Sequence, residues 1–218
     1  HKLLGNIYLR SDNPQRALQT FMGVLNLDNP SENLAIAIDA AELFVRLNRY
    51  DEASQLINAL QNADVTVSEE QEMTLLQLQA QIARYEGNTE AAIGILERIV
   101  QEDPGNAEAL IDLGEFYANQ AEDADTEAET AREAGNLDRA EERDRRASEL
   151  FQKAAFQFEE AARFDDHAFN AKVAHAQMLA GNREFNEAIT LLREALRIKD
   201  DTRIENYLNR LEQAARSL

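Results

Sequence analysis

The run Asp123-x-Asp125-x-Glu127-x-Glu129 sets four carboxylates at alternate positions, a spacing that converges on a divalent cation when the chain curls into a loop. A calcium-binding loop of the helix-loop-helix type also needs Gly at its sixth position and a bidentate Glu at its twelfth. Ala128 and Ala134 stand there instead. On a helix, alternate residues point about 200° apart and their carboxylates diverge, so the run reads as a solvated helix face and no metal is expected. His1, His167 and His175 are too scattered to form a ligand set, and the chain has no Cys. Disulfides, thiol nucleophiles and cysteine-ligated zinc are thereby excluded. The sequence holds no Gly-rich phosphate loop and no nucleophile elbow. Carboxylates are plentiful, yet none has a partner at a spacing that implies general acid–base work. The expectation is a protein that is not an enzyme and carries no cofactor.

The elements that position these residues follow from composition and periodicity. With 218 residues, 44% hydrophobic and 29% charged, and a mean hydropathy of -0.51, the chain can bury a substantial core beneath a soluble surface. No apolar run reaches the roughly 18 residues of a helical membrane span, so no membrane insertion is expected. Acidic residues number 41 against 22 basic ones, a net charge of -19, and only four of the basic residues are Lys. Such a field repels phosphate backbones, so no nucleic acid is expected as partner. The acidic surface reads as a solubility feature and assigns no compartment.

Small and large residues recur together along the chain. Leu4-Gly5-x-x-Tyr8, then Ala17, Phe21 and Pro30, returns as Leu113-Gly114-x-x-Tyr117, then Ala154, Phe158 and Ala161, with weaker copies between and after. Small side chains let two helices touch, and large ones fill the gaps beside them. The pattern resembles the tetratricopeptide repeat, whose L-G-x-x-Y … A-x-x-x-F … P spacing recurs about every 34 residues. The resemblance implies an all-α fold, a right-handed solenoid of five helical hairpins with a C-terminal capping helix. The chain is expected to form one domain, with repeats at about 1–29, 30–67, 68–106, 107–168 and 169–201 and the capping helix at 202–218. His1 lies only three residues before Leu4, so about one turn of the first helix is expected upstream, and the chain is expected to be a fragment of a longer one.

Helix signals agree with these boundaries. Asn13-Pro14 supplies a cap and a first-turn Pro for a helix to about Leu27, and Asn29-Pro30 opens the next hairpin in the same way. Ser68-x-x-Gln71 and Thr202-x-x-Glu205 read as capping boxes. Asp165-Asp166-His167 is expected at an inter-repeat turn, while Gln79 and His175 stand where the family usually has Leu.

The fourth repeat breaks the period. Family spacing from Tyr117 to Ala154 is nine residues, and here it is 37, an excess of 28. Ala107, Gly114, Ala121, Ala128 and Gly135 are small residues seven apart, as are Ala140, Ala147, Ala154 and Ala161. The excess therefore continues both helices by two heptads each, about four turns, rather than forming a loop. Two long antiparallel helices are expected near 107–134 and 137–165, joined at Gly135-Asn136. They form an extended helical arm over 118–153, reaching about 21 Å.

In this repeat family the first helix of each hairpin lines a concave groove. The resemblance accordingly implies partner contacts from Lys2, Asn6 and Arg10, from Ile38, Glu42 and Arg46, from Gln77, Gln81, Arg84 and Tyr85, and from Ile111 and Glu115, with Glu108, Asn170, Val173 and Gln177 on the same concave side. Members that grip chaperone C-termini do so with Lys, Asn and Arg in a carboxylate clamp. Lys2 and Asn6 fit its first part, but Asp39, Thr74 and Leu78 occupy the rest, and such a set would not hold a carboxylate. Arg10, Arg46 and Arg84 end successive first helices and should stack as a row. Beside Tyr85 they suit an acidic or extended peptide. The expected function is a protein-protein interaction scaffold that binds a protein or peptide segment in the groove. The alternative is a structural subunit of a larger assembly, such as a bacterial envelope or secretion complex, that contacts neighbours or copies of itself through the arm.

Overall fold

The computed structural model describes residues 2–11, 13–26, 30–63 and 66–216, without the side chains of Lys2, Asn6, Leu9, Arg10, Pro30 and Ser31. Among the described residues there are eleven α-helices and no strand. They are α1 (Lys2–Arg10), α2 (Pro14–Met22), α3 (Leu34–Arg46), α4 (Tyr50–Asn62), α5 (Glu69–Tyr85), α6 (Thr89–Glu102), α7 (Ala107–Glu133), α8 (Leu137–Ala161), α9 (Asp165–Gly181), α10 (Phe185–Ile198) and α11 (Thr202–Arg216). The chain forms two compact units, residues 1–99 and 100–218. In the first, α1 packs on α2, α2 on α3, and α3 on both α4 and α5. In the second, α7 pairs with α8, both touch α9, α9 pairs with α10, and α10 carries α11.

The turns inside the hairpins share one construction. Asn13, Arg49, Asn88, Asn136 and Glu184 each donate their backbone N–H to the carbonyl five residues back, on Tyr8, Phe44, Ala83, Ala131 and Leu179, at 2.8–2.9 Å. This closure needs a left-handed residue just before the donor. Asn48, Gly87, Gly135 and Arg183 supply it, with φ of 58°, 72°, 76° and 62°. The Asn side chains at 13, 88, 106 and 136 then cap the helix that follows, accepting from the amides of Arg16, Ala91, Ala109 and Arg139.

In two hairpins a glycine on the first helix meets a phenylalanine on the second. A Cβ added to Gly5 would sit 2.1 Å from the Phe21 ring, and one added to Gly114 would sit 2.6 Å from the Phe158 ring. The same sequence places in the other hairpins hold Ala41 and Ile57, Ala80 and Leu96, and Ala176 and Leu192, all at most 4% exposed. His175 takes the place beside this contact that the family gives to Leu, and its ring lies on Phe158 with centroids 5.7 Å apart. Burial holds the His175 imidazole below its ordinary pKa; Lys172 acts in the same direction, while Glu159 and Glu184 oppose.

Helices α7 and α8 are 27 and 25 residues long. Their extra turns close on Ala121, Ala124, Ala128, Ala131 and Ala140, all buried, with Leu150 nearer the base. The spacing alternates between three and four residues, so Ala124 and Ala131 belong to the buried stripe that the seven-residue series marks only in part. Ala147 is half-buried instead. Arg143 lies half-buried on the facing side of α8, its Nε 2.9 Å from Glu127, and Arg132 pairs with Asp144 at 2.6 Å.

Four boundaries differ from expectation. Helix α2 ends at Met22, with Gly23 as its C-cap, while Leu27 and Asn29 lie outside the described residues. Helix α8 ends at Ala161, and Asp165, Asp166 and His167 form the first turn of α9 rather than a turn between repeats; carboxylates are favoured there by the helix dipole. The last helix is capped one residue earlier than Thr202, by Asp201, whose carboxylate accepts from the amides of Arg203 and Ile204. The Ser68 and Gln71 capping box forms as expected.

Two predictions follow from these contacts. Gly114→Ala drives a methyl into the Phe158 ring and is expected to destabilise the protein by about 1–2 kcal/mol, overpacking outweighing the helix propensity gained. Adding Phe158→Leu should recover at least about 1 kcal/mol of that loss in a double-mutant cycle of urea unfolding. For His175, the folded chain refuses a proton that the unfolded chain accepts near pH 6.5. The stability contributed by the neutral ring is therefore complete above that pH and declines as the pH falls from there through the lowered folded value. Unfolding measured between pH 7 and 5 should show a shallower decline in His175→Leu than in the parent.

Candidate functional site

In the first unit, Glu42 and Arg46 project one turn apart from α3, and both are exposed. Desolvation by the surrounding protein and the charge of Asp39 push the Glu42 carboxyl above its ordinary range, and Arg46 pulls it back. Gln77, Gln81 and Arg84 follow one another along a single face of α5; Gln77 is half-buried and the other two are exposed. Tyr85 is 59% exposed, but one face of its ring is already taken by Tyr50, with centroids 4.2 Å apart and planes 17° from parallel. Ile38 is not a groove residue. It is 5% exposed and belongs to the apolar cluster of this unit. The reason is that α3 packs against both α4 and α5, so its buried face is wider than a single hairpin requires and takes in Ile38 and Val45. The side chains of Lys2, Asn6 and Arg10 lie outside the described residues.

The second unit has a cleft of about 500 Å³ between α7 and α9. Glu108, Ile111, Asp112 and Glu115 line it from α7, and His167, Asn170, Val173, Ala174 and Gln177 from α9. The expected contact residues Ile111 and Glu115 are thus brought together with side chains of the next hairpin. Asp112, His167 and Ala174 escaped the sequence reading. Asp112 has a helical-phase signal, four residues after Glu108 and three before Glu115, whereas His167 was hidden by its assignment to a turn. The lining mixes the apolar Ile111, Val173 and Ala174 with carboxylates from α7 and with the amides of Asn170 and Gln177 from α9, which can both donate and accept.

Asp123, Asp125, Glu127 and Glu129 lie along α7. Among the described residues no group of three or more His, Asp or Glu side chains is placed to hold a metal ion, and no helix is long and apolar enough to cross a membrane.

In fold the chain is similar to YrrB, described as a TPR protein with an unusual peptide-binding site, at 17% identity over 96% of this chain and 90% of that one, with a TM-score of 0.61. It is also similar to MamA, at 15% identity over 89% of this chain and 93% of that one, with a TM-score of 0.58. Likeness at such identities establishes the fold alone. Among curated proteins none matches the chain in sequence. The sequence model of the tetratricopeptide repeat protein 21 ARM repeat matches residues 3–134, more than half of the chain, which therefore belongs to this tetratricopeptide repeat family.

Proposed function

We propose that the chain is a non-catalytic interaction scaffold that holds an extended segment of a partner protein against the first helices of its hairpins. The observation that carries this reading is the cleft between α7 and α9, open along the faces of two successive first helices and lined in part by the apolar Ile111, Val173 and Ala174. Its size lies within the usual range of ligand pockets. YrrB, which shares the fold, is described as having a peptide-binding site, and an analogous use fits this chain. In the first unit, Arg46 and Arg84 offer exposed guanidiniums to an acidic part of a partner. If they do so, Arg46→Glu combined with Arg84→Glu should weaken binding of a partner captured with the wild-type chain at least tenfold, with unchanged helical circular dichroism. Full affinity in the folded double variant would remove the two arginines from the reading.

A second reading, contact through the long hairpin, is favoured by the composition of its interior. Beyond Leu150 the buried stripe is almost entirely Ala, and each buried methyl contributes only about 0.8 kcal/mol. So weakly cored an extension has little to add to stability, and contact with a partner or a second copy would explain it. Removing residues 118–131 together with 140–153 joins Tyr117 to Arg132 and Arg139 to Ala154. The shortened turn would then repeat the spacing of Tyr8, Asn13 and Ala17, where the Asn13 amide already bonds the Tyr8 carbonyl at 2.9 Å. The shortened protein is expected to fold and to lose either self-association in sedimentation or partner capture. A folded variant unchanged in both would make the hairpin a spacer.

A further inference from the structure

The two helices that line the cleft, α7 and α9, are joined through one aromatic ring of α8. The Phe158 ring lies against Gly114 of α7, with an atom 2.6 Å from where a Cβ would stand, and the His175 ring of α9 stacks on it, centroids 5.7 Å apart and planes 29° from parallel. Phe158 itself is 1% exposed. On either side of Gly114 along α7 come Ile111 and Glu115, and on either side of His175 along α9 come Ala174 and Gln177; all four line the cleft. We infer that the cleft is a pH-sensitive site governed by His175, whose neutral ring keeps α7 and α9 in the arrangement that forms the cleft and whose protonation loosens it. This rests on the peptide-holding reading for what the cleft takes up, and adds the condition under which it does so.

The physical reason is competition between the stack and water for a charged ring. Imidazole is the side chain whose charge ordinarily changes between pH 5 and 8. At this place burial disfavours the charged form most and Lys172 of α9 acts with it, while Glu159 of α8 and Glu184 before α10 draw the other way. A proton is therefore costlier on the stacked ring than in water, and the cost is recovered when the ring leaves Phe158 for solvent, Glu159 and Glu184. His175 is half-buried, so that step needs no unfolding. A close-packed interior does not leave the vacated space unfilled, and Phe158 can take it up only by moving from Gly114. The change then reaches both linings, because each flanking residue lies within one turn of Gly114 or His175. Since the folded value lies below the ordinary 6.5, the neutral arrangement is complete above that pH and is lost as the pH falls through the lowered value. His167 also lines the cleft, and its own titration has to be silenced in any test.

The test follows the whole chain carrying His167→Gln by NMR from pH 7.5 to 5, with labelled His rings and labelled Ile and Val methyls and no peptide present. The Ile111 and Val173 methyl signals should move with one midpoint, the same as that of the His175 ring and below 6.5. That movement should vanish in His175→Leu, and its Ile111 part should vanish in Phe158→Leu, where His175 still titrates. Circular dichroism checks the folding of each variant, and the shared midpoint in the parent decides the matter if a variant does not fold. Methyl signals that titrate with His167 present but not after His167→Gln would place the sensitivity in the lining itself and overturn the inference. Signals that do not move at all would overturn it while leaving the peptide-holding reading intact. An Ile111 shift that persists in folded Phe158→Leu would overturn the route through the ring.

Discussion

The contact between a very small residue on one helix and a large one on the next is the constraint on which the rest of this structure depends. Where the first helix carries Gly, at 5 and 114, the second carries Phe, and the ring lies where a Cβ would be. Where it carries Ala, at 41, 80 and 176, the second carries Ile or Leu. The summed volume is held nearly constant while its division between the helices changes, as close packing at crystal-like density requires. The distance between helices in each hairpin is set by that sum, and the exposed faces that bear Arg46, Arg84 and Glu115 are set in turn by which faces are consumed in making the contact.

This constraint was legible in the sequence because it has a period. The recurrence of Gly5 and Gly114 with Phe21 and Phe158 identifies the hairpins without reference to any site, and the Gly135-Asn136 junction identifies the turn of the long one. Less legible were features decided by more than one neighbour. Ile38 has the helical phase of a groove residue, but α3 packs against α2, α4 and α5, and the residue is buried. The cap at Asp201 is masked in the sequence because Thr202-x-x-Glu205 mimics a capping box, whereas a carboxylate at 201 can accept from two successive amides. The cleft was legible only in part. Ile111 and Glu115 lie on the face that the family resemblance marks, but Asp165-Asp166-His167 has the composition of a turn, which does not set His167 opposite them.

The long hairpin shows how a repeat can grow without disturbing its own contacts. Its turn closes through the same backbone bond as the turns of the other hairpins, from Asn136 to Ala131 at 2.9 Å, and the Gly114–Phe158 contact remains at its base. The added turns need no new packing design, because alanines spaced by three and four residues let two helices run close together with little side-chain ordering cost. What alanine cannot supply is register, since its surface is nearly featureless. The pairs Arg143 with Glu127 and Arg132 with Asp144 span the two helices near the tip, where a slip would separate them.

Charge in this chain therefore has two distinct jobs. Within the long hairpin each spanning pair is partly exposed, and such pairs contribute little net stability; their value lies in fixing which turn of α7 faces which turn of α8. Around the cleft the carboxylates of Glu108, Asp112 and Glu115 line the same short stretch of α7. The same helix thus carries charges paired for register at its far end and charges gathered around an open space at its near end.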